Sequence, residues 1–127
     1  MSFCASVHCM DGRIQEPIVQ YLKEKYSITY VDAITELGPC KILAENKDKR
    51  TVDSILERIA ISINVHGSKL IAISGHYDCA KNPCNEETQR KQIKEAMKYI
   101  RSIYSDIEII GLWVGKEWKV IRLTVDG

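Results

Sequence analysis

The 127-residue sequence has no apolar run long enough to cross a bilayer, and MSFCASVHCMDG at its start lacks the basic-then-apolar layout of a secretory leader. Neither charge is in surplus: 18 Lys and Arg stand against 17 Asp and Glu, a net charge of +1. So balanced a chain has no general attraction for nucleic acid or anionic lipid. Its dense charge run, ENKDKR at 45–50, mixes both signs and reads as a solvated loop. Internal repeats, low-complexity tracts and linker-like stretches are missing too, which leaves a single domain over residues 1–127 with one hydrophobic core. Paired cysteines are also absent: the count is five, unevenly spread. An odd set in a chain that needs no staples argues for reduced thiols and a cytoplasmic setting.

What is present is alternation of strand and helix patterns. Residues 2–8 read as a short buried strand, and 16–26 as a helix with Ile14, Ile18, Tyr21 and Leu22 on one face. Residues 27–34 are rich in β-branched side chains and read as a second strand. A long connection at 36–50, broken by Gly38 and Pro39, leads to Thr51, an apparent cap for a helix carrying Val52, Ile55, Leu56, Ile59 and Ile63. KLIAIS at 69–74 has the continuous apolar run of a strand inside a parallel sheet. Asn85 should cap a third helix with Ile93, Ala96, Met97, Ile100 and Tyr104 facing inward, and 108–115 with 117–125 should form a hairpin around Gly115 and Lys116. The expected fold is α/β in three layers: a mainly parallel central sheet of about five strands, helices on both faces and one antiparallel edge strand. Ligands in such sheets bind beyond the strands' carboxyl ends, where the winding reverses.

That rim is where the chemistry collects. In SVHCMDGRI, residues 6–14, an apolar run gives way to Cys9, Asp11 and Arg13 at alternate positions. GHYDC, residues 75–79, follows the third strand and carries His76 and Cys79 as H-x-x-C. Two thiolates and an imidazole suit zinc in tetrahedral geometry, and three protein ligands leave a fourth position open, as in catalytic sites. If the backbone stays extended, Asp11 and Arg13 point the same way as Cys9. Arg13 then holds Asp11 off the metal in a bidentate pair, and Asp11 orients a metal-bound hydroxide. Released from Arg13, Asp11 would fill the fourth position instead.

CMDGR and GHYDC together resemble the paired C-x-D-x-R and H-x-x-C motifs of the β-class carbonic anhydrases. The resemblance covers the metal-binding sheet, roughly residues 3–115. It implies one zinc per chain on Cys9, His76 and Cys79, Asp11 and Arg13 as the catalytic pair, and hydration of carbon dioxide to bicarbonate. It also implies a pocket completed by a neighbouring subunit, hence a homodimer or higher homo-oligomer. The chain departs from the family's pattern in three places. Only eight residues precede Cys9; DAITELGP at 32–39 replaces an Asn- and Gly-rich stretch; and AKNPC, not glycines, follows the second motif. Two thiolates should leave the metal-bound water less acidic than three histidines would, so activity should favour alkaline pH.

Other readings of the same residues differ in class. The same zinc scaffold could hydrolyse another small electrophile, such as carbon disulfide or carbonyl sulfide. A non-catalytic zinc-binding regulatory domain would result if Asp11 or Cys84 closed the fourth position. Asp11–Arg13 alone could be a salt bridge pinning a turn. A cysteine phosphatase is excluded, because wrapping phosphate needs a longer loop than the three residues between Cys9 and Arg13. Cys4 and Cys40 read as small apolar residues, and His8 should face away from Cys9. His66 reads as a favourable charge near a helix end. Trp113 and Trp118 read as core or edge packing, or as a dimer surface.

Overall fold

The computed structural model describes residues 2–124. One sheet contains β1 (Phe3–Cys9), β2 (Tyr30–Glu36), β3 (Leu70–His76), β4 (Glu108–Val114) and β5 (Val120–Arg122), in the order β2-β1-β3-β4-β5. All neighbours run parallel except the β4–β5 hairpin at the edge. The helices are α1 (Gln15–Tyr26), α2 (Pro39–Glu45), α3 (Lys49–Asn64) and α4 (Glu86–Ile103). None of the described helices is long and apolar enough to cross a membrane.

The period-two alternation of the strands sorts the core into two layers. Ala5, Val7, Ile71, Ile73, Ile109 and Trp113 face α2, α3 and α4, whose Leu43, Ile55, Ile59, Ile93 and Ile100 cover them. Cys4, Leu70, Ala72, Ile110 and Leu112 face α1 through Ile14, Ile18 and Leu22. Helices therefore lie on both faces, three against one. β3 is buried at every position, as its unbroken apolar run requires.

Four local expectations change. The connection at 36–50 contains α2: Gly38 adopts a left-handed φ of 65° and Pro39 opens the helix, so the Gly-Pro pair marks a helix start and not a break. Thr51 lies inside α3, and the cap is Asp48, whose carboxylate accepts from the Thr51 amide and hydroxyl. β2 also starts later than expected, because Ser27 ends α1 in the left-handed region and the amides of Thr29 and Tyr30 first turn back to the Ser2 carbonyl. In the hairpin, β5 is shorter than 117–125, and Val125 lies outside the described residues. Asn85 caps α4 as expected, accepting from the Thr88 amide.

From β1 the chain winds outward to β2, then returns to place β3 on the other side of β1. The reversal lies between β1 and β3. Both strands end there, with Cys9 and His76 as their last residues.

Candidate metal centre

At this rim the donor atoms of Cys9, His76 and Cys79 all lie within 4.8 Å of one another, and all three residues are buried. The two sulfurs are 4.0 Å apart. Two thiolates on a tetrahedral zinc with bonds of about 2.3 Å stand roughly 3.8 Å apart, so the spacing fits that ion. His76 supplies the sharper observation. Its Nδ1–H donates to the Tyr77 carbonyl at 2.7 Å, which turns the lone pair of Nε2 toward the cluster. Nε2 is buried there without a hydrogen-bond partner. A buried polar atom is left unpaired rarely and at a cost, and a metal ion is what a bare imidazole lone pair between two thiols can take.

Two glutamines hold the segments that carry these donors. The buried Gln89 of α4 accepts from the His76 amide at 3.1 Å and donates to the His76 carbonyl at 2.8 Å, acting as one more strand at the end of β3. Gly75 makes room for it, since a Cβ there would sit 2.6 Å from the Gln89 Oε1. Gln15, opening α1, donates to the carbonyls of Cys9 at 2.9 Å and Asp11 at 2.8 Å. Its Oε1 faces His8 Nε2 at 2.8 Å, and Ser6 faces the other ring nitrogen at 2.7 Å. With both Gln15 protons committed, His8 must donate through Nε2 and accept from Ser6. His8 belongs to that chain of bonds and not to the cluster. Neither glutamine was singled out in the sequence, because side chains that imitate backbone carry no periodic signal.

Asp11 and Arg13 meet, but not by strand alternation. β1 ends at Cys9 and the chain turns: the Arg13 amide donates to Asp11 Oδ1 at 2.9 Å and the Ile14 amide to the Asp11 carbonyl at 3.3 Å. Within this turn the Arg13 Nε donates to Oδ1 at 3.0 Å and Nη2 to Oδ2 at 2.6 Å, a bidentate pair. The guanidinium holds the Asp11 carboxyl at about 2, well below the usual carboxylate range. Both carboxylate oxygens are thus committed to Arg13.

The two thiols respond to each other in opposite senses. Cys9 is pushed down, first by the Cys79 thiol, with the His76 ring and the Gly38 and Asp11 amides adding to it against the opposing effect of burial. Cys79 is pushed up, first by Cys9 and then by burial. A cation between the sulfurs would relieve this mutual opposition. On His76, burial acts downward but is outweighed by Cys9, the Tyr77 carbonyl and Asp11, so the ring is raised.

The remaining candidates fall elsewhere. Cys84 donates to the Asn82 side chain at 3.2 Å and is not in the donor cluster. Cys4 and Cys40 are buried apolar residues. His66 pairs with Asp32 at 2.7 Å and stacks on Phe3. Trp113 is core, whereas Trp118 lies against Arg13 with the guanidinium carbon 4.5 Å from its ring centroid.

Comparison with known proteins bears on what this site belongs to. None of the curated proteins matches the sequence. Among solved structures, a carbonic anhydrase from Glaciozyma antarctica superposes with a TM-score of 0.62 at 15% identity, over 94% of this chain and 81% of that one. A variant of the β-carbonic anhydrase CafD from Aspergillus fumigatus gives 0.66 at 13% identity, over 98% and 90%. One of two tetrameric β-carbonic anhydrases from Sordaria macrospora gives 0.55 at 11%, over 96% and 80%. At these identities the likeness is one of fold. A family model described as "Putative carbonic anhydrase" matches residues 1–124. With that match running through all described elements, on the fold of the β class, the chain belongs to the carbonic anhydrase family.

Proposed function

We propose that the protein is a zinc-dependent carbonate dehydratase that hydrates carbon dioxide to bicarbonate, with Cys9, His76 and Cys79 holding one zinc ion per chain. The observation that carries this reading is the buried, partnerless Nε2 of His76 between two thiols. Zinc, when bound, supplies a water of lowered pKa, and two thiolate donors leave that pKa higher than three imidazoles would, so activity favours alkaline pH. The chain's own contribution is placement. Gln15 and Gln89 hold the two donor segments at the rim. Arg13 keeps Asp11 ionised and engages both its oxygens. The carboxylate so held would accept a hydrogen bond from the nucleophile and fix its orientation, without taking its proton.

The exposed Met10, Leu37 and Tyr77, following β1, β2 and β3 around the same rim, support a second copy of the chain seated there, as a homodimer or higher homo-oligomer. Its five free thiols fit the reducing cytoplasm.

Stopped-flow carbon dioxide hydration on zinc-loaded protein, with metal analysis of Cys9→Ser and His76→Ala, tests the reading. Hydration well above the buffer rate in the parent, and loss of both zinc and rate in the variants, is the expected result. Undiminished zinc in either variant defeats the ligand assignment. A zinc-loaded parent with no hydration moves the reading to another small electrophile or to a non-catalytic zinc domain.

A further inference from the structure

Arg13 is nearly half exposed, yet most of its donors and one face are engaged. Of its five N–H donors four are used: Nε and Nη2 on Asp11, Nη1 on the Asp78 carboxylate at 3.2 Å, and Nη2 again on the Asp78 carbonyl at 3.2 Å. The fifth constraint is the Trp118 ring, 4.5 Å from the guanidinium carbon. Backbone geometry singles out the same two neighbours. Among the described residues four non-glycines have positive φ: Ser27, Asn46, Asp78 and Trp118. Ser27 and Asn46 end helices, where the left-handed conformation is ordinary. Asp78 (φ 60°) and Trp118 (φ 58°) end none, and both touch Arg13. A bulky aromatic residue rarely adopts this conformation, and such strain persists only where the surroundings enforce it.

The enforcement is visible. Trp118 closes the β4–β5 turn through its amide to the Gly115 carbonyl at 2.9 Å, and the Tyr77 amide donates to the Val114 carbonyl at 2.8 Å. These bonds tie the exit of β3 to the start of the turn, so Asp78 and Trp118 form one rigid bracket. The Tyr77 ring also stands edge-on to Trp118 at 6.4 Å.

We propose that Trp118 and Asp78 are positioning residues that hold the Arg13 guanidinium in the plane of the Asp11 carboxylate, so that the β4–β5 turn sets how far the metal centre stays open. The inference rests on the roles given above to Asp11 and Arg13. A bidentate pair needs the two planar groups aligned. Trp118 fixes the plane of the guanidinium from its face, and Asp78 fixes its rotation from the far edge. Without this bracket Arg13 swings into water, Asp11 loses its partner, and the carboxylate turns to the metal.

Two readouts test the bracket, one of them without metal. In metal-free protein labelled with nitrogen-15, the Arg13 Nε–H proton should carry an upfield ring-current shift, lost in Trp118→Leu, kept in Trp118→Phe, and weakened in Asp78→Ala, where the indole remains and only the hold on Arg13 is loosened. Trp118→Gly, whose backbone accepts the positive φ, should also lose it while remaining folded. In cobalt-loaded protein, thiocyanate affinity should fall roughly two- to fivefold in Trp118→Leu and roughly tenfold with Asp78→Ala added. Trp118→Phe should recover most of it. An unchanged shift in Asp78→Ala, or unchanged thiocyanate affinity in Trp118→Leu, overturns the proposal, as does a Phe variant no better than Leu. A parent that takes up no metal defeats the functional reading instead, and the ring-current arm then decides the bracket alone.

Discussion

At Gly75 the absence of a side chain is what allows the His76 backbone to be held. An added Cβ would lie 2.6 Å from the Gln89 oxygen and 3.1 Å from Ile93. The oxygen is already engaged by the His76 amide, so it cannot retreat without breaking that bond. Gly75→Ala should cost about 1–3 kcal/mol, read as a lower denaturation midpoint of metal-free protein. An unchanged midpoint means that the glutamine clamp yields without loss. The buried thiols make a separate prediction about pH. Burial pushes Cys4 and Cys40 from 9.0 up to about 12. A raised acid holds its proton in the folded state, so this stability is complete below pH 9 and is lost as pH rises toward about 12. The slope is about 1.4 kcal/mol per pH unit for each thiol. Urea melts from about pH 8 to 11 should show a shallower alkaline loss in Cys4→Ala than in the parent; equal slopes assign the loss to other groups.

Among the elements, α4 does most for the site: it carries Gln89 and packs Ile93 and Met97 beside Gly75 and Gly111. Its start is set by Asn85, whose side chain takes the Thr88 amide at 2.8 Å, with Glu86 and Glu87 favouring the amino end of the helix. Asn85→Ala should cost about 1 kcal/mol of stability, and Asn85→Asp should cost little, both measured by urea denaturation. Equal losses in the two variants would show that the cap is not the cause. This cap was legible because Asn directly precedes a helical apolar period. The cap of α3 misled because Asp48 sits in a mixed charge run, where its carboxylate looks like any other solvated group. α2 was hidden because a Gly-Pro pair both ends and begins helices, and seven residues are too few for periodicity to separate the two.

Over the whole molecule, three helices cover one face of the sheet and α1 alone the other, while the carboxyl-end rim keeps Met10, Leu37 and Tyr77 at 59%, 45% and 41% exposure. In the proposed oligomer a second copy would cover these side chains. Sedimentation of the parent should show a dimer or larger species at micromolar concentration. Leu37→Asp, changing an exposed side chain, should shift it toward monomer without loss of folded circular dichroism. A monomeric parent with full hydration activity sinks the prediction.

The sequence alone determined the chemistry on offer and the alternation of elements. Two thiols and an imidazole identify a zinc-type donor set by their atoms, and apolar period separates strand from helix along each segment; both are local properties. It also placed Cys9 at the end of one strand and His76 just after another. What only the tertiary structure decided is adjacency. Cys9 and Cys79 are 70 residues apart in the chain and 4.0 Å apart in space because β3 returns beside β1, a consequence of burying both sheet faces together. The same holds for Gln15, Gln89, Asp78 and Trp118. Their types say nothing about the site, since an amide or an indole acquires a positioning role only from the groups that packing brings against it.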